Sequence, residues 1–189
     1  VRAMRERNYF GAMMVETGMA DAMISGMTRN YAKVIRPGLQ VIGPQEGVKK
    51  VCGMYIVQTL KGPLFFADTT VNENPTAEDI VEITLRVTEA ISKMKITPRV
   101  ALLSYANFGS AKGADPEKMA KAAAILQKSH PNLIVDGELQ ANFALNNEML
   151  KENFPFSKLV GQQVNTLIFP NLSAGNIAYK LLQESAGCE

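Results

Sequence analysis

The residues of this chain that could do chemistry fall where short apolar runs stop. Ala22-Met23-Ile24 ends in Ser25-Gly26, Leu64–Ala67 in Asp68, and Val100–Leu103 in Ser104-Tyr105-Ala106-Asn107-Phe108-Gly109-Ser110. Leu133–Val135 ends in Asp136-Gly137-Glu138, and Thr166–Phe169 in Pro170-Asn171-Leu172-Ser173-Ala174-Gly175-Asn176. In open α/β sheets, ligands bind beyond the carboxyl ends of the strands, where loops and helix N-termini present backbone N–H groups. One polar, glycine-bearing loop is ordinary in any protein, whereas five at the same place in the pattern point to a ligand. Gly109 and Ser110 would let a backbone approach a phosphate, and Lys112 would neutralise its charge. The spacing is neither that of a P-loop nor G-x-G-x-x-G, which argues against nucleotide hydrolysis and dinucleotide binding. Arg36, just before Pro37, either offers a planar fork to a phosphate or carboxylate or is an exposed arginine at a helix end. Asp136 and Glu138 read as an acid/base pair or, for Asp136, as a cap or turn residue. His130, between Ser129 and Pro131, reads as a surface residue at a helix end.

Alternating helical and strand-like periods separated by turn signals predict an α/β layered fold to position these residues. Arg5 to Val15 reads as a helix, Ala22–Ile24 as a short buried strand, and Thr28 to Ile42 as helical, with Pro37 starting or kinking a helix. Val51–Thr59 and Leu64–Ala67 flank Leu60-Lys61-Gly62-Pro63 as an antiparallel hairpin, so the sheet is expected to be mixed. Pro75 suits a first helical position after an Asn74 cap, followed by the stripe Ile80, Ile83, Val87, Ile91 and Met94. Val100–Leu103 predicts a fully apolar strand, Asp115-Pro116 a helix start with Met119, Ala123 and Leu126 on one face, and His130-Pro131 its end. Leu133–Val135 and Thr166–Phe169 read as strands, Asn142 to Lys151 as helical, and Ser173 as the cap of a last helix through Leu182. The texture changes most near Thr97-Pro98, which predicts a first lobe over 1–96 and a second over 97–189.

The 189 residues suit one body of two lobes, and 47% hydrophobic against 20% charged residues allow a sizeable core. No window approaches the roughly 18 unbroken apolar residues of a membrane span. Twenty Lys and Arg against 18 Asp and Glu leave a net charge of +2, too weak a bias for nucleic acid or an anionic membrane, although a local basic pocket for a small anion is compatible with it. Cys52 and Cys188 make no disulfide framework and one histidine makes no His-rich metal site, so the compartment reads as cytoplasmic. Ten Met, several within the first 27 residues, fill a core or a subunit contact. The start at Val1 and the stop at Glu189 just past a helix read as a piece of a longer protein.

At these same strand ends the sequence resembles the phosphotransacetylases, acetyl-CoA:phosphate acetyltransferases, over nearly its whole length. The resemblance is carried by Asp21–Gly26, Ile35–Gln40, Phe66–Asp68 with Asn72–Pro75, Leu103–Tyr105, Gly109–Lys112, Asp136–Gln140, and Phe169-Pro170 with Ala174–Ile177. Asn8–Met14, Ser104–Gly109, Gln140–Ala144 and Val164–Ser173 look most like the phosphotransacetylase-like C-terminal domain of bacterial NADP-dependent malic enzymes. The resemblance implies a three-layer α/β/α fold of the isocitrate dehydrogenase type, with two lobes around a cleft. It also implies that malate oxidation, NADP and Mg or Mn belong to N-terminal domains, this part holding no cofactor, sensing acetyl-CoA and helping to assemble at least a dimer. The acyl-CoA or phosphate site so implied comprises Ser25, Arg36, Ser104, Asn107, Gly109, Ser110, Lys112, Asp136, Asn171 and Asn176, with no catalytic residue. Where the working enzymes typically carry Thr-Lys this chain has Asn107-Phe108, and where they carry Asp it has Asn171. The family's catalytic Ser-Arg and following Asp are expected beyond Glu189. Three functions follow for test: a regulatory acyl-CoA-binding domain, an active phosphate acetyltransferase, and a purely structural assembly module.

Overall fold

The computed structural model describes residues 2–187, so Cys188 lies outside the described residues. The chain divides into two compact units between Lys49 and Lys50. The first unit is helical: a 3₁₀ turn over Ala3–Arg5 leads into α1 (Arg7–Glu16), and α2 follows over Tyr31–Val41. Glu6 caps α1 by accepting from the amides of Asn8 and Tyr9, and Asn30 caps α2 by accepting from Lys33 N at 3.1 Å.

Pro37 sits inside α2, neither starting nor ending it. A proline there has no N–H for the carbonyl four residues back, which is Lys33 O. Asn8, buried at 3% exposure, supplies the missing donor: its Nδ2 reaches Lys33 O at 3.2 Å, while its Oδ1 accepts from Ser25 Oγ at 2.8 Å. The expected strand Ala22–Ile24 does not form, and Ile24 is fully exposed. A strand needs a neighbouring strand to take its backbone bonds, and the described residues of this unit contain none.

The second unit is built on a sheet of five strands in the order β1-β2-β5-β3-β4. The strands are β1 (Met54–Thr59), β2 (Gly62–Ala67), β3 (Arg99–Leu103), β4 (Ile134–Leu139) and β5 (Thr166–Ile168). β1 and β2 form the expected antiparallel hairpin, and β2, β5, β3 and β4 run parallel. Side chains alternate between the two faces. Phe65, Ala67, Val100, Leu102, Val135 and Ile168 meet Ile80, Ile83, Val87 and Ile91 of α3 (Ala77–Lys93) and Met119, Ala122, Ala123 and Leu126 of α4 (Ala114–Ser129). Phe66, Ala101, Leu103 and Leu167 meet the other layer, α5 (Ala141–Leu145), α6 (Asn147–Asn153) and α7 (Leu172–Ala186). Tyr55 and Tyr179 stack at 4.1 Å to seat α7 beside the hairpin. The result is the expected α/β/α layering with a mixed sheet, each fully buried Ile or Leu contributing about 1.5–3 kcal/mol. The expected division near Thr97-Pro98 falls between α3 and β3, within a unit whose one sheet takes strands from both sides of it.

Several element ends differ from the sequence reading because another side chain reaches the free amides first. Thr76, not Asn74, caps α3 in a reciprocal box with Asp79, and Asn74 instead accepts from Lys118 Nζ. Asn171, not Ser173, caps α7, and Asn146 splits the expected helix 142–151 into α5 and α6. Met94, the last of the α3 stripe, lies past the helix and is 45% exposed. Among the described residues no helix is long and apolar enough to cross a membrane.

Candidate functional site

Because β2, β5, β3 and β4 are parallel, their carboxyl ends share one edge of the sheet. Three of the five stretches singled out in the sequence follow these strands, after β2, β3 and β5, whereas Asp136-Gly137-Glu138 lies within β4 and Ser25 follows no strand. Ser25 and Arg36 belong to the first unit. There Arg36 is exposed and, with Arg29 and Lys33, brings three cations to a cavity of about 300 Å³ completed by Glu6, Tyr9 and Pro37. Glu6 offsets part of that charge through its 4.0 Å contact with Arg29. An anion of phosphate size fits this charge balance.

At the end of β2, Asp68 is 3% exposed and its carboxylate is filled. It accepts from the amides of Gly53, Thr70 and Val71 on Oδ1 and from Asn72 N and Nδ2 on Oδ2, at 2.5–3.1 Å. This fixes the loop after β2 and holds it to the chain entering β1. Beside it Thr69 is fully buried with no hydrogen-bond partner for its Oγ1, and its carbonyl accepts from Asn176 Nδ2 at 3.3 Å.

The loop after β3 carries Ser104, Asn107, Gly109, Ser110 and Lys112 together, as expected, but most of its polar groups bond within the protein. Ser104 N donates to Leu139 O and its Oγ accepts from Ala106 N. Asn107, 8% exposed, accepts from Gln140 N at 2.8 Å, and its own amide donates to Ser110 Oγ at 2.9 Å. Gly109 N donates to Glu138 Oε1 at 2.6 Å, and Phe108 N to Glu138 O at 2.8 Å. Lys112 and Gly109 stand exposed.

Asp136 corrects the sequence reading. β4 runs on through Glu138 to Leu139, so Asp136 is a strand residue and does not stand in a loop after the strand. It is 7% exposed and accepts from Gln127 Nε2, Gly137 N, Ser157 Oγ and Lys158 N at 2.8–3.0 Å. Glu138, at 2% exposure, is likewise buried, and neither carboxylate faces solvent as an acid/base pair would.

Asn171 also has a structural role, since its Oδ1 accepts from Ala174 N at 3.0 Å and its Nδ2 donates to Asp115 Oδ2 at 3.0 Å. The first-turn amides of α7 are largely taken, because Leu172 N donates to Glu73 O and Gly175 N to Asn171 O. The first turn of α4 carries its own anions, Asp115 and Glu117, with Lys118 paired to Asp115 at 2.8 Å. At the opposite edge of the sheet, His130 lines a cleft of about 500 Å³ with Thr88, Ser92, Thr97 and Ser129. Ser129 Oγ donates to Ile125 O and so is placed to accept from His130 Nδ1 at 2.8 Å. Among the described residues no three His, Cys, Asp or Glu side chains converge as metal ligands would.

The sequence reading missed the anchoring work of Asn8, Asp68 and Glu138. It also missed the aromatic cluster Phe108–Phe154–Phe156, whose ring centroids lie 5.0–6.1 Å apart. Phe154-Pro155-Phe156 is a visible signal, but its meeting with Phe108 is a long-range contact.

A mostly parallel sheet whose loops gather at one carboxyl edge defines an α/β protein of the class that binds its ligands at that edge. The comparisons narrow this. The model of the family described as phosphate acetyl/butaryl transferase matches residues 1–189, and the chain belongs to that family. It is 38% identical to the phosphate acetyltransferase of Bacillus subtilis over 188 residues, 100% of this chain and 58% of the relative. It is 39% identical to the NADP-dependent malic enzyme of Haemophilus influenzae over 170 residues, 90% of this chain and 22% of that protein. A crystal structure of a phosphotransacetylase from Streptococcus pyogenes superposes with a TM-score of 0.91 at 35% identity, covering 100% of this chain and 57% of that one. The chain thus spans little more than half the length of these acetyltransferase relatives.

Proposed function

We propose that this chain is the acyl-CoA-sensing and assembly part of an NADP-dependent malic enzyme and does not itself transfer acetyl groups. Malate oxidation, with its NADP and divalent metal, lies in this reading outside the chain. The observation that carries it is Phe108. The resemblance expects a lysine there, available to an anionic intermediate, and the ring instead packs on Phe154 and Phe156. Asn171 supports the same reading, because an aspartate in its place could not donate to Asp115. With Asp136 filled by backbone and side-chain donors and Glu138 buried and accepting from Gly109 N, neither is presented to a CoA thiol as a base. What remains suits binding: exposed Lys112 and Gly109 and the unpartnered Thr69 Oγ1 in the second unit, and the three cations around Arg36 in the first.

Calorimetric titration with acetyl-CoA, using desulfo-CoA and free acetate as controls, tests the reading alongside an assay of acetyl phosphate plus CoA. Saturable micromolar binding, weakened by Arg36→Ala, without thioester formation is expected, together with at least a dimer by light scattering. The 38% identity to a phosphate acetyltransferase favours a second reading as an active enzyme of that kind. Thioester production well above background would establish it and remove the first.

A further inference from the structure

The first unit is short of a core. Between Arg2 and Lys49 only Asn8, Ala12 and Pro37 are buried, while Phe10, Met19, Ile24, Met27 and Ile42 are exposed. Three buried side chains, one of them polar, cannot offset the chain entropy lost in ordering the unit, so its stability calls for a further apolar cover. Residues 21–25 mark where that cover would attach. They lie between a turn that ends with Ala20 N on Met14 O and one closed by Arg29 N on Gly26 O. Among the described residues, none of the main-chain N–H or C=O groups of Asp21 to Ser25 makes a hydrogen bond.

The side chains of this run nevertheless alternate. Met23 is half-buried and lies against α1 where Gly11 has no side chain, since a Cβ there would be 2.5 Å from the Met23 Sδ. Ser25 Oγ donates to Asn8 Oδ1 at 2.8 Å, and Asn8 and Gly11, three residues apart, share one face of α1. The alternate residues Ala22 and Ile24 are exposed, Ile24 completely. A two-residue period with every main-chain group unpaired is a strand without its sheet, an arrangement that accepts a strand from elsewhere. The same run of a second copy would supply only a two-stranded ribbon, which is marginal in water. The Streptococcus pyogenes phosphotransacetylase offers a larger source: it superposes on all of this chain, which covers 57% of it, so more than two fifths of that protein lies outside the match.

We propose that residues 22–24 form a strand of a sheet completed by a part of the same polypeptide outside residues 1–189. Met23 and Ser25 turn one face of that strand to α1, and Ile24 turns the other to a second apolar layer. The first unit is then one side of a larger α/β body, with its exposed apolar residues as the contact surface.

Hydrogen exchange of peptides covering 20–27, in the full-length protein and in the 1–189 chain, tests the proposal. In the 1–189 chain these amides should exchange as in an unfolded peptide, and in the full-length protein about 100-fold or more slowly. Ile24→Asp, at a position open to water in the 1–189 chain, should leave the exchange of α1 and α2 there as it is. In the full-length protein the same change should cost peptides covering 20–27 about tenfold or more of their protection, whereas Ile24→Val, still apolar and β-branched, should keep it within about threefold. Equal exchange in the two proteins would overturn the proposal, as would a neutral Ile24→Asp in the full-length protein. Protection already present in the 1–189 chain would overturn it too: growing with concentration, it would make the partner a second copy, and independent of concentration, it would place the pairing within this chain.

Discussion

Replacing Asn8 with alanine should loosen α2 by an amount that depends on Pro37. In the wild type, Asn8 Nδ2 is the donor for Lys33 O that the proline cannot supply, and Asn8 Oδ1 accepts from Ser25. Two such bonds at about 1 kcal/mol each, with a helix carbonyl left without a donor, amount to about 2–3 kcal/mol. In a Pro37→Ala background the new backbone amide can donate to Lys33 O, and the same truncation should cost about 1 kcal/mol less. Hydrogen exchange of peptides covering 31–41 reads this directly. Asn8→Ala should lower protection about 30-fold or more with Pro37 present and about fivefold less in the Pro37→Ala background. Equal losses in the two backgrounds would show that Asn8 does not replace the missing helix bond.

Other outcomes follow from single contacts. A Cβ at position 175 would lie 2.7 Å from Asp68 O and 3.3 Å from the Phe169 ring, so Gly175→Ala should destabilise the second unit by about 1–3 kcal/mol in urea unfolding. Asp68→Asn turns one acceptor into a donor facing amide N–H groups and should cost about 2 kcal/mol or more by the same measurement. Burial, helped by the nearby Asp68 charge, pushes the Cys52 thiol up to about 11, leaving roughly 0.1% thiolate at pH 8. Iodoacetamide should therefore label Cys52 far more slowly in the folded than in the urea-unfolded chain, as peptide mapping would show. The Thr76 amide holds the Asp79 carboxyl below its ordinary value, so the stabilisation it gives α3 is present above the ordinary aspartate range and is lost as pH falls through the lowered value. Stability measured at pH 7 and pH 3 should fall less for Asp79→Asn than for wild type.

What can be read from the sequence is local. The α3 stripe shows because Ile80, Ile83, Val87 and Ile91 recur at helical spacing, and the hairpin because its turn sits between two β-rich runs. The loop Ser104–Lys112 stands out for the same reason, as a cluster of small and polar residues behind an apolar run. Failures come where a distant partner decides. Pro37 stays helical because of a donor 29 positions earlier, and Ala22–Ile24 stays irregular for want of a neighbouring strand. Asp136 is turned inward by Ser157 and Lys158, which no window around β4 contains. Asn107 and Asn171 do stand at strand ends as expected, but their buried bonds to Gln140 N and Asp115 are tertiary facts.

The sheet order has a consequence for how the chain comes to be made. β5 is three residues long and last among the strands, yet it stands between β2 and β3 and bonds to both. Until Thr166–Ile168 leaves the ribosome, the hairpin β1-β2 and the pair β3-β4 are separate pieces, each with an open edge that β5 will later cover. A nascent chain halted before that point carries two unsatisfied strand edges and two half-formed cores, the state most open to chaperones and to wrong pairing. Completion then comes in one late step, with the shortest strand as the keystone.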